Sequence, residues 1–165
     1  MLSLSQTTGY AIRALCALGH AGEGFLLARD IAEQTGVPKP YLSRLLCWLG
    51  QAGLILTKRG HGGGFALARH PRDISLLDIA RAVEGPRMRP RCLLGQVECS
   101  DERSCPMHTF WKAERARIED ELQRRTLDSV AAFEARNGTL AANRFTPARA
   151  RRPRRKQPRA HRARS

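Results

Sequence analysis

Residues 28–68 read ARDIAEQTGVPKPYLSRLLCWLGQAGLILTKRGHGGGFALA, and this stretch decides the fold. Residues 28–35 predict a short helix with Ile31 and Ala32 on its apolar side. Gly36 breaks it, and Val37-Pro38 opens another helix over about 39–51, with Leu42, Leu45, Leu46 and Leu49 facing inward. A short helix, a glycine turn and a second helix outline a helix-turn-helix. Ala32 lets the helices approach, and Gly36 tolerates the positive φ of a tight turn. After Gly53 come two strand-like runs, 54–57 and 65–68, joined by Lys58-Arg59-Gly60-His61-Gly62-Gly63-Gly64. Two strands around such a loop form a β-hairpin, which in this order is a wing.

Working outward, 7–20 reads as the first helix, with Tyr10, Ala14, Leu15 and Leu18 at helical spacing. Ser75 caps a fourth over 76–84, which ends at Gly85-Pro86. Residues 86–105 show little periodicity and read as an irregular loop. From 106 to about 136 the pattern is helical again, carrying Phe110, Trp111, Ile118, Leu122, Leu127, Val130 and Phe133. This is one long helix, or two with a break near Thr126. A helix of that length cannot bury its stripe against so small a domain, so a partner helix and a homodimer are expected. The tail, with three of the nine prolines, is expected to be disordered. The fold class is mainly α with a small β-hairpin. It divides into a winged helix-turn-helix domain (1–85), a cysteine-rich loop (86–105), a dimerisation helix (106–138) and a basic tail (139–165).

Lys and Arg number 29 against 15 Asp and Glu, a formal net charge of +14. Residues 139–165 hold nine Arg, one Lys and no acid, so the rest of the chain is only +4. Charge alone therefore does not establish nucleic-acid binding, although the tail could add non-specific affinity through counterion release. No apolar run nears the ~18 residues of a membrane span, and no secretory signal opens the chain. Five cysteines, an odd number, argue against a disulfide framework and for the cytoplasm.

A recognition helix needs polar groups on its outer face. Here these are Lys39, Tyr41, Ser43 and Arg44, with Lys58, Arg59 and His61 of the wing placed to reach phosphates or the minor groove. The wing glycines let that backbone approach closely. Cys92, Cys99 and Cys105 place three thiols within fourteen residues, with His108 three positions on. Three thiolates and an imidazole suit zinc or an iron–sulfur cluster, and spacings wider than CxxC lean toward the cluster. A metal-free thiol switch, unconnected cysteines, and a cluster-free regulator that senses through zinc or a partner protein are the other readings. Cys16 and Cys47 lie on apolar helical faces and are expected to be buried. No nucleophile elbow, phosphate loop or HExxH is present, so no enzyme is expected.

These features together resemble the Rrf2 family of bacterial transcription regulators, in particular its iron–sulfur-sensing members. The resemblance spans about 1–138. It rests on Gly9-Tyr10-Ala11, Ile31-Ala32, Tyr41-Leu42, the wing string Arg59-Gly60-His61-Gly62-Gly63-Gly64-Phe65 with Leu67-Ala68, the helix 79–84, and the cysteine loop with its histidine. It implies a homodimer reading a palindromic DNA site, as repressor or activator. Cys92, Cys99 and Cys105 match the family's cluster cysteines. His108 matches the histidine of [2Fe-2S] members, favoured here over [4Fe-4S] because Thr7 and Thr8 offer no carboxylate. Ser43 stands where the cluster-assembly regulator has an acid, and the basic tail has no counterpart.

Overall fold

The computed structural model describes residues 4–88, 92–95 and 99–137. The basic tail expected to be disordered lies outside the described residues. Among the described residues, six α-helices and one antiparallel hairpin follow in the order α1 (Gln6–His20), α2 (Ala28–Thr35), α3 (Lys39–Gln51), β1 (Ile55–Lys58), β2 (Gly64–Leu67), α4 (Leu76–Glu84), α5 (His108–Arg124) and α6 (Leu127–Asn137). Short 3-10 turns occupy Pro71–Asp73, Gly85–Met88 and Asp101–Arg103.

Local chemistry accounts for these boundaries. Ser5 caps α1 by accepting from the Thr8 amide, and Ser75 and Asp78 form a reciprocal capping box at the start of α4. Gly36 ends α2 in the left-handed conformation at φ 67°. The turn that follows is tied to α1, because the Arg13 guanidinium donates to the Thr35 carbonyl at 3.3 Å while lying over the Tyr10 ring. Burial lets the helices interlock. Leu15 and Leu18 of α1, Ile31 of α2, Leu42, Leu45 and Leu49 of α3 and Ile79 of α4 fill one continuous core. The hairpin pairs Ile55 with Leu67 and Lys58 with Gly64, and Leu26 adds a backbone bridge to Phe65 on the other edge of β2.

The segment after residue 106 is two helices. The backbone leaves the helical path at Arg125, whose carbonyl accepts from the Leu76 amide at 2.8 Å, while the Leu127 amide donates to the Ile74 carbonyl at 2.8 Å. The break lies where the alternative reading put it. Its consequence differs from the expectation of a stripe left wholly to a partner. Leu127 is fully buried in the core, Val130 and Ala131 pack against that core, and α6 lies on α1. On α5 the stripe is split: Trp111 is buried, whereas Phe110 and Ile118 are exposed.

Candidate nucleic-acid interface and cysteine centre

The four inward leucines of α3 fix which side of the helix faces out. Lys39, Tyr41, Ser43 and Arg44 all lie on that exposed side, with Tyr41 57% accessible despite its aromatic ring. Arg44 lies 5.7 Å from the Trp48 ring and Lys58 5.7 Å from the Phe25 ring, contacts that steady both cations without neutralising them. Lys58, Arg59 and His61 are exposed along the wing. Between α3 and the hairpin runs an open groove of about 630 Å³, lined by Ser43, Cys47, Gln51, Thr57 and Arg59 among others. The structure thus brings the seven expected DNA-contacting residues to exposed positions on α3 and the wing.

Two expectations about this region change. Cys47 is exposed, not buried; of the two helical cysteines, Cys16 lies in the core. The wing glycines also serve the fold before any ligand. A Cβ on Gly63 would fall inside contact distance of the Lys58 and Gly60 carbonyl oxygens, and one on Gly64 would strike the Leu26 carbonyl. Gly60 and Gly62, in contrast, face open space and leave room for another backbone to approach.

In the cysteine segment, Cys92 and His108 are buried, and Cys99 and Cys105 are half-buried. Cys99 Sγ lies 3.3 Å from His108 Nδ1. The other ring nitrogen, Nε2, is 2.8 Å from Oδ1 of Asp101. Asp101 in turn accepts from Lys112 Nζ through both oxygens, at 2.8 and 2.9 Å. The hydrogen bond from Lys112, then that from His108, hold the Asp101 carboxyl below its usual range. Cys105 contributes its carbonyl, which accepts from the His108 amide at 2.9 Å and sets the first turn of α5. The segment therefore joins Cys99 to His108. Among the described residues, three or more candidate donors do not converge on one point.

The two donors that do meet are of the kind a soft metal centre takes. A histidine that ligates metal characteristically gives its second nitrogen to a carboxylate, and Asp101 occupies that position. Sequence reasoning missed Asp101. It stands in a segment without apolar or thiol periodicity, and the turn at Asp101–Arg103 brings it to the ring.

A family model, Rrf2, described as iron-dependent transcriptional regulator, matches residues 4–132. The chain belongs to the Rrf2 family. Among its relatives, the HTH-type transcriptional regulator IscR of Pectobacterium atrosepticum is 32% identical over 130 residues, covering 78% of this chain and 79% of the relative. The solved structure of T. potens IscR superposes with a TM-score of 0.65 at 32% identity, covering 80% of this chain and 88% of that one. CymR, the global cysteine regulator of B. subtilis, superposes at 0.67 with 29% identity, covering 81% and 98%. This Rrf2-family chain is a DNA-binding transcriptional regulator with the winged-helix architecture, and it is not an enzyme. Among the described residues no helix is long and apolar enough to cross a membrane.

Proposed function

We propose that this Rrf2-family regulator binds a palindromic DNA site as a homodimer, with its affinity set by an iron–sulfur cluster. Cys92, Cys99, Cys105 and His108 would hold the cluster, [2Fe-2S] in preference to [4Fe-4S]. The observation that carries this reading is the buried His108 imidazole, with one nitrogen at a thiol and the other on a carboxylate. Such a histidine is oriented as a ligand. When bound, the cluster supplies a redox- and nitric-oxide-sensitive group whose loss frees the cysteine segment.

The chain's own residues do the rest. Lys39, Tyr41, Ser43 and Arg44 present α3 to base edges, while Lys58, Arg59 and His61 take phosphates or the minor groove. Phe110 and Ile118 on α5 offer an apolar surface for a second copy. The helix joins both sites. Its first residue is His108, and Arg115, two turns on, donates to the Met88 carbonyl behind α4 at 3.5 Å. Coupling between sites of this kind is typically ~1–3 kcal/mol, about 5–150-fold in affinity.

The deciding measurement is the visible spectrum of protein purified without oxygen, with iron and acid-labile sulfide assayed beside operator binding. The reading expects stoichiometric iron and sulfide, lost in each of Cys92→Ala, Cys99→Ala and Cys105→Ala while a folded dimer remains. Wild-type protein that stays colourless after reconstitution overturns it. A second reading, thiol sensing without a cluster, draws on the likeness to a cysteine regulator. It expects operator binding that responds to oxidant in iron-free protein.

A further inference from the structure

We infer that Asp101 is the positioning residue for His108 and, through Lys112, the tie between the cysteine segment and α5. Its side chain is 76% exposed, so no packing requirement explains where it sits. An exposed Lys–Asp pair contributes little to stability by itself. What the arrangement does is geometric. A carboxylate only accepts, so Nε2 of His108 donates to Asp101, and a ring held in this way turns its Nδ1 toward Cys99 at 3.3 Å. Lys112 follows His108 by one helical turn and grips both carboxylate oxygens. One aspartate thus binds the ring that faces the thiol and the helix that would carry the dimer contact. Any displacement of the segment around Cys99 and Asp101 is passed to α5 through a charged clamp.

This inference builds on the reading of His108 as a ligand, and its test separates the two. In iron-free wild-type protein, nitrogen-edited NMR is expected to show a ring N–H of His108 protected from solvent exchange. Asp101→Ala should lose that signal, while Asp101→Asn, which keeps an acceptor oxygen, should retain it. A signal absent in the wild type, or unchanged in Asp101→Ala, overturns the positioning role whatever the iron content. In reconstituted protein, Asp101→Ala should release iron to a chelator about 10–100-fold faster. Lys112→Met should keep both the ring signal and the iron but narrow the gap in operator affinity between loaded and cluster-free protein. An undiminished gap overturns the tie. Wild-type protein that takes up no iron defeats the cluster reading, and the ring signal still decides whether Asp101 aims His108 at Cys99.

Discussion

Cys16 and Cys47, both expected on apolar helical faces, part company in the fold. Cys16 lies in the α1 core, and burial, followed by the neighbouring Glu134 carboxyl, pushes its thiol up to about 12. Cys47 follows the buried Leu46, and a rotation of about 100° along the helix carries it into the groove beside Arg59. Iodoacetamide at mildly alkaline pH should therefore modify Cys47 in native protein and reach Cys16 only after unfolding. A mass shift at Cys16 first would contradict this packing. Glu134 makes a pH prediction at the same spot. Burial raises its carboxyl above 4.5, only partly opposed by His20 and Arg13, and its Oε1 is buried without a hydrogen-bond partner. The native state then binds more protons than the unfolded chain just above pH 4.5, so stability falls as pH rises through that window. Urea unfolding from pH 4.5 to neutrality should show Glu134→Gln gaining on the wild type as pH rises. Parallel curves would place the carboxyl in water.

At the level of elements, what could be read from residues was what depends on near neighbours. Apolar spacing in 28–51, the Ser75 cap and the glycine loop before Phe65 each act over a few residues, and the helices and strands they predict lie within one residue of those observed. The break at Thr126 is held by backbone bonds to Ile74 and Leu76, some fifty residues away, so periodicity could place it but not explain it. The cysteine segment was legible as a set of donors and illegible as a site, because Asp101 meets His108 through an aperiodic turn. Two substitutions probe these elements. Leu127→Ala should cost about 2–5 kcal/mol, as for other fully buried leucines, because α6 belongs to the core. Phe133→Ala, at a half-exposed position, should cost far less by the same thermal or urea unfolding. In the wing, Gly64→Ala should weaken operator binding through the collision with Leu26, not through a lost DNA contact. The amide spectrum of Leu26 and Phe65 in DNA-free protein should change with it; an unchanged spectrum would move the role of Gly64 to the DNA.

For the whole molecule, the question is how a mildly basic domain and a strongly basic tail divide the work of binding. Residues 4–132 match the family and carry the exposed face of α3 and the wing, whereas ten of the 29 basic residues follow position 138. Base readout needs side chains held in a fixed register, which α3 provides through its four buried leucines. Counterion release needs only positive charge near phosphate, and it makes log K fall with log salt at a slope of about −0.9 per phosphate neutralised. The two contributions are therefore separable. A chain ending at residue 138 should bind operator and random DNA more weakly by a similar factor, with a shallower salt slope for both. The ratio between them should stay unchanged, because the groups that discriminate remain. Titrations on both DNAs across a salt series measure all three quantities. An unaltered slope would mean the tail does not touch DNA. A collapsed ratio would mean that the tail, and not α3, carries the preference, which would overturn the assignment of Lys39, Tyr41, Ser43 and Arg44 as the reading surface.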